Sequence, residues 1–352
     1  MKGWRLAGIV LLLGFCTGRA WCDADPAAHS QVKTSSSTDN GVTLGKFGKE
    51  AAKQAPSMDQ VRWMQAKTSE DFNAEYDFAG GPLNEHYTDM RYMFTRRTLL
   101  AFLIHGGFEW QRLGFDGRKD RLLPGQLESL NAYLALDFRW SRKDLLRIQA
   151  RPGLFSDFEE FNMSDFNAPV DIAYTRIPNY RFQWAIGLSI DTWRQYHVLP
   201  GGGFRYHVND RWQVNMMLPT PQIEYKPLPP LTVFMGADFR GDSYRMAGNF
   251  GSSHGQPAFD NSVVDYSEIR VGPGFSWNIK PLIEFNMQAG VIAEREFNYH
   301  NNGTTINNAG AAPFVTLQFH YLFKLSPPEK IGPDIESGRF QAPVFEHLLQ
   351  FL

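Results

Sequence analysis

Apolar and polar residues alternate in segments of roughly ten residues between about Phe72 and Phe323, and a turn follows each segment. One segment places Leu130, Ala132, Leu134, Leu136 and Phe138 on one face and Asn131, Tyr133, Ala135, Asp137 and Arg139 on the other. This spacing is that of a β-strand, whose successive side chains point to opposite faces. A membrane barrel turns the apolar face to lipid and the polar face to its lumen. The alternation therefore predicts strands that cross a bilayer.

Long Gly- and Asp-rich loops at 115–126, 155–168, 243–262 and 300–310 fall on the opposite side from a set of tight polar turns. Bacterial outer-membrane barrels show this asymmetry. Two hairpins are less well defined: the first, and the one around Leu218–Pro221, where two prolines interrupt the strand ladder. We predict an all-β fold, an antiparallel transmembrane outer-membrane β-barrel of about 12–14 strands. The candidate strands lie near 72–78, 86–96, 100–114, 127–140, 144–154, 169–176, 180–191, 197–207, 211–218, 221–226, 231–242, 263–276, 281–299 and 311–323.

The two ends of the chain differ from this zone. Residues 1–24 have the positive start, short apolar core and small-residue cleavage site of a secretory signal peptide, and cleavage would remove both cysteines. Acylation of Cys16 is the alternative, although Phe15 before it is larger than lipoprotein signals favour. Residues 25–66 are predicted to form a disordered lead-in, 67–323 the barrel, and 324–352 a Pro-rich tail.

The last predicted strand resembles the terminal strand of outer-membrane barrels. Its apolar positions are Val315, Leu317, Phe319, Tyr321 and Phe323. The resemblance implies that the barrel assembly machinery recognises these residues.

The chain resembles an uncharacterised family of Gram-negative outer-membrane β-barrels, a domain of unknown function. The resemblance rests on the regular spacing of the strands, on this last strand and on the Leu218-Pro219 break before Ile223. The resemblance covers roughly 68–323. It implies an outer-membrane location and contact with outer-membrane lipid, and it brings no activity with it.

Composition narrows the classes of partner. The formal net charge is −2 and no basic stripe occurs, which argues against nucleic acid. Aromatic residues make up 14% of the chain, which suits girdles at two membrane interfaces. Nothing in the pattern indicates an oligomeric state.

Charged residues of both signs recur at the polar positions of the strands. Arg147 and Arg151 lie four residues apart on one face, about 13 Å from each other, and could form an arginine ladder along a pore wall. A ring of charges would select solutes, whereas mutually paired charges would only fill and stiffen the interior. The lumen-lining candidates are Arg147, Arg151, Arg181, Arg205, Glu109, Asp137 and Arg139.

Signals for catalysis are weak. His105 shares a face with Glu109, and Ser189 and His320 also point inward, but no Gly-x-Ser-x-Gly motif occurs. The histidines are too scattered for a zinc motif, so we predict no metal and no cofactor. The sequence predicts a passive channel or small-solute transporter. A lipid- or lipopolysaccharide-modifying enzyme and a soluble periplasmic or secreted β-protein remain the alternatives.

Overall fold

The computed structural model describes residues 68–325, apart from 82, 98–101, 118–121, 140, 142, 180, 281 and 308–311. The predicted signal peptide, lead-in and nearly all of the tail lie outside these residues. Helical turns are short within them: Met163–Asp165, Phe250–Ser253 (α1), Pro257–Phe259 and His300–Asn302. No helix in the described ranges is long and apolar enough to cross a bilayer.

Strands make up most of the described chain. They are β1 (Thr68–Ala79), β2 (Leu83–Arg97), β3 (Phe102–Gly117), β4 (Gln126–Arg139), β5 (Asp144–Ala150), β6 (Gly153–Ser156), β7 (Phe166–Asn167), β8 (Val170–Asn179), β9 (Phe182–Ile190), β10 (Val198–His207), β11 (Trp212–Asn215), β12 (Gln222–Leu228), β13 (Leu231–Arg245), β14 (Val263–Lys280), β15 (Ile283–Tyr299), β16 (Thr304–Asn307) and β17 (Ala312–Leu325).

The strands close into one antiparallel barrel. Successive spanning strands pair antiparallel, and β1 pairs with β17 to complete the ring. β5 continues as β6, β7 as β8 and β16 as β17, so the ring has 14 strands. This confirms the predicted outer-membrane barrel fold at the upper end of the predicted strand count. The connections after β3, β6, β13 and β15 share one end of the barrel, which we call the long-loop end, and the other is the short-turn end.

Burial follows the inverted pattern that a membrane barrel requires. The outward side chains of Phe108, Leu134 and Ile186 are 67%, 52% and 58% exposed. Inward-facing Glu109 and Asp137 are each only 1% exposed. Because burying unpaired charge is costly, the polar interior must satisfy its own charges.

The barrel narrows at its long-loop end. β12 pairs with β13 only as far as Gly236, so the half of β13 nearer the long-loop end extends beyond the end of β12. There β13 forms a parallel bridge with β6 instead, between Arg245 and Ser156. This bridge closes a narrower ring, from β13 through β17 and β1 to β6, which we call the collar. The wall formed by β8–β12 is shorter and lies beside the collar.

Candidate functional site

The barrel interior holds most of the buried charge of the described chain, and it forms three groups. The first lies below the collar on β1, β2, β13, β14 and β15. Arg270 contacts Asp77, Glu268 and, at 2.7 Å, Glu85. Arg295 pairs with the same Glu85 at 2.5 Å and with Glu268 at 3.1 Å. These two arginines therefore join β14 and β15 to β1 and β2, strands that are separated by β17 in the barrel wall.

Tyr266 completes this first group. Its hydroxyl lies 2.8 Å from the carboxylate of Glu268 and 2.9 Å from that of Glu85, and its single proton is shared between these two acceptors. Arg270 also stacks its guanidinium 5.2 Å from the ring centroid of Phe314. Charge pairing, hydrogen bonds and a cation–π contact thus hold one cluster whose members are almost inaccessible to solvent.

Arg240 forms the accessible edge of the first group. Its guanidinium contacts Glu75, and also Asp77 and Asp238 at 2.5 Å each. The side chains of Arg240, Asp238 and Glu75 are 19%, 14% and 12% exposed, whereas those of Arg270 and Glu268 are at most 1% exposed. A solute in the lumen would meet this edge before the sealed part of the cluster.

The second group connects β2, β3 and β13 with the segment after β5. Arg91 contacts Glu109 and, at 3.8 Å, Asp89. Arg151 reaches both Glu109 at 4.0 Å and Asp242 at 3.1 Å. Asp242 lies on β13, so the Arg151 pair joins the two segments that meet at the collar bridge.

The β9–β10 loop adds a third arginine to this group. Arg194 lies 3.8 Å from Asp191 and 3.7 Å from Asp242. Next to it, the backbone N–H of Gln195 donates to Asp265 at 2.9 Å, and its side chain accepts from Asn298 at 2.9 Å. The loop therefore spans from the shorter wall to β14 and β15.

The third group is smaller and balanced in charge. Arg147 binds Asp137 through Nε at 2.5 Å and through Nη2 at 2.8 Å. His105 lies 3.1 Å from the same carboxylate through Nε2, and its Nδ1 is 2.9 Å from Thr95 Oγ1. Ser189 instead accepts from Arg194 at 3.3 Å, so the structure places the predicted histidine and serine in separate clusters.

The seven predicted lumen residues occupy different environments. Glu109, Asp137, Arg147 and Arg151 are fully buried members of the paired groups. Arg139 and Arg205 are partly buried nearer the short-turn end, and Arg181 is exposed in the turn before β9. Arg147 and Arg151 pair with different carboxylates, so their charge is already neutralised rather than displayed as a ladder.

Sequence reasoning missed much of the network. Glu85, Asp89, Arg91, Arg194 and Arg295 were not singled out, although the strand residues among them alternate with apolar neighbours. Inward polarity identifies such positions, but pairing between strands that are not neighbours joins residues such as Arg270 and Glu85, 185 positions apart. Sequence spacing carries no information about those partners.

Apolar side chains fill the collar above the charges. Phe115 on β3 meets Phe297 on β15 with ring centroids 5.1 Å apart, although these strands are not neighbours. The turn after β13 adds Phe250 and Phe259, whose rings lie 6.2 and 5.4 Å from that of Tyr299. We call this turn, residues 246–262, the lid. The collar is therefore a packed constriction.

Two carboxylates hold the lid in place. Asp157 accepts from the N–H of Ala247 at 2.8 Å, and Glu160 accepts from that of Gly248 at 3.3 Å. Burial raises the pKa of Asp157, although hydrogen bonds from backbone N–H groups favour its charged form. Within the described ranges, no group of three or more His, Cys, Asp or Glu residues is arranged to hold a metal ion.

Comparison with known proteins identifies a family. No significant match was found among curated proteins. Among solved structures, an outer-membrane channel from Pseudomonas putida F1 is similar at 11% identity and a TM-score of 0.39, covering 74% of this chain and 96% of that one. The Ralstonia pickettii toluene transporter TbuX is similar at 8% identity and 0.39, covering 75% and 91%. The NanC porin gives 6% identity and 0.36, covering 71% and 98%.

These scores are too low for the likenesses to extend to the lumen or to function. The family model gives the firmer result. It matches residues 100–316, more than half of the chain, and its description is "Domain of unknown function (DUF6268)". The chain belongs to this DUF6268 family.

Proposed function

We propose that the protein is an outer-membrane barrel that conducts small hydrophilic solutes passively through its lumen. The observation that carries this proposal is the inverted polarity of a closed 14-stranded ring, apolar outside and charged inside. An eight-stranded barrel has an interior that side chains just fill, and a larger ring encloses more space. A bilayer with spanning strands explains the outward apolar residues, and an aqueous route explains the inward polar ones.

Small inward residues on the shorter wall support a route beside the collar. Gly187 on β9 pairs with Gly201 on β10, and both lie on the inward face. Ala173 and Ala185 occupy inward positions on the adjacent strands β8 and β9. Glycine and alanine add little side-chain volume to the lumen, in contrast to the aromatic residues of the collar. We therefore place the route along β10–β13, where inward Gly201 and Asp238 are partly exposed, past the Arg240 edge.

Assembly and lipid contact belong to the same proposal. Val315, Leu317, Phe319 and Phe323 on β17 are outward and exposed. We propose that this strand face and Tyr321 are recognised by the barrel assembly machinery and then contact outer-membrane lipid. The long loops would then lie outside the cell and the short turns in the periplasm.

Conductance in planar bilayers tests the proposal. Purified full-length protein should give discrete ion currents, and a Gly201→Trp variant should reduce their size because the indole enters the lumen. Val198→Trp is the matched control, since Val198 lies on the same strand with its side chain outward and 51% exposed. If the folded protein gives no current, or if both variants reduce it equally, the proposed route is wrong.

A further inference from the structure

We infer that the lumen prefers cations, an inference that rests on the proposed channel function. The starting observation is an imbalance in the paired groups. In the first group three arginines contact five carboxylates, those of Glu75, Asp77, Glu85, Asp238 and Glu268. In the second group three arginines contact four carboxylates, those of Asp89, Glu109, Asp191 and Asp242. Carboxylates therefore exceed guanidinium groups by three.

A further buried acid adds to this surplus. Asp171 on β8 is 0% exposed, and the hydroxyl of Ser189 is its hydrogen-bonding neighbour. The nearest cations, Arg151 and Arg194, are already paired with other carboxylates. Buried negative charge without enough fixed positive charge has to be balanced by mobile cations or protons.

Carboxylates also outnumber guanidinium groups at the accessible edge of the first group, which faces the proposed solute route. Arg240 contacts the three carboxylates of Glu75, Asp77 and Asp238, and Arg270 shares only that of Asp77 among the described contacts. Glu75 and Asp238 are partly exposed, so their field reaches the lumen with less screening than that of exterior charges. Clefts lined by one sign of charge concentrate counter-ions by about 10- to 1000-fold, and this mixed lining should fall near the low end.

Glu75 and Asp238 are therefore the residues that we assign to ion preference. The arginine ladder considered from the sequence would favour anions instead. In the structure Arg147 and Arg151 are neutralised by Asp137 and Asp242. Arg139 and Arg205 are partly buried nearer the short-turn end, and Arg205 faces the carboxylate of Glu224.

The test is the reversal potential across a planar bilayer with KCl tenfold more concentrated on one side. We expect a sign that reports K⁺ permeating more readily than Cl⁻. The double variant Glu75→Gln with Asp238→Asn should move the reversal potential toward zero. The single variant Glu75→Asp keeps the negative charge and should therefore retain most of the wild-type reversal potential. Asp116→Asn is the matched control, because Asp116 lies outside the lumen with its side chain 78% exposed.

The outcomes separate the two proposals. Absence of any current from folded protein contradicts both the channel and its cation preference. A current with the anion-selective sign contradicts the cation preference alone and leaves the channel in place. Folding of each variant is checked by its faster migration on unheated gels. If the double variant does not fold, the wild-type sign and the single Glu75→Gln variant decide the question.

Discussion

Leu317 and Gln318 are neighbours on β17 that face opposite sides of the barrel wall, so they test the assignment of faces at one height. Leu317 points outward, is 40% exposed and lies between Tyr76 and Met287 on the flanking strands. Gln318 points inward, accepts from Asn286 at 3.0 Å and donates to Glu75 at 3.3 Å. Both lie near the middle of β17. The perturbation is arginine at each position.

The two variants should differ in the free energy of unfolding. An arginine on the lipid face near the bilayer midplane costs about 2–4 kcal/mol, because its charge loses hydration without gaining a partner. Gln318→Arg loses an acceptor for Asn286, worth about 1 kcal/mol. Its guanidinium gains the carboxylate of Glu75, which offsets part of that loss. We therefore expect Leu317→Arg to be the more damaging variant by roughly 1–3 kcal/mol.

Urea titration of the protein refolded into short-chain phosphatidylcholine vesicles measures this difference without the cellular assembly machinery. Unfolding is followed by tryptophan fluorescence, and extrapolation to zero urea gives each free energy. Leu317→Met serves as the apolar control for the outer position. Equal losses, or a larger loss for Gln318→Arg, would show that β17 does not present its apolar face to lipid. The alternative of a soluble β-protein would then regain support.

Three further predictions address the network, the lid and assembly. Arg270→Met should lower the free energy of unfolding by about 3–5 kcal/mol, because it leaves buried carboxylates without their cation. The control is Arg112→Met, which should cost less than about 1 kcal/mol in the same titration, because the Arg112 side chain is 50% exposed on the outer face. Phe250→Ala should loosen the lid over the collar, detected as faster protease cleavage within 246–262. Unchanged cleavage would contradict the packing role of this ring. Tyr321→Ala combined with Phe323→Ala should reduce the amount of folded barrel in cells while leaving the yield of refolding into vesicles nearly unchanged. A lower refolding yield with an unchanged amount of folded barrel in cells would show that these rings act on stability instead.

The faces of the strands could be predicted because side-chain alternation is a local property of the backbone. On β4, Leu134 and Asp137 lie on the faces that the pattern assigns to them. The hairpin around Leu218–Pro221 was one of the two that the sequence left less well defined, and its strands β11 and β12 are short. What alternation cannot supply is position around the ring. The bridge between Ser156 and Arg245 joins strands far apart in sequence, so neither segment alone contains a signal for it.

The level of the constriction along the barrel axis, by contrast, can be predicted from the types of the inward residues. Along β3 they change from His105 and Glu109 to Leu113 and Phe115 as the strand approaches the long-loop end. The inward residues of β14 and β15 change in the same direction, from Arg270 to Tyr266 and Val264, and from Arg295 to Phe297 and Tyr299. An inward apolar side chain is stable only where others reach it across the lumen, since it would otherwise face water. An inward charge needs either water or a partner. The change from charged to aromatic residues along the inward face therefore marks the level at which opposite walls meet, and alternation misses it because alternation reports only the face of a residue.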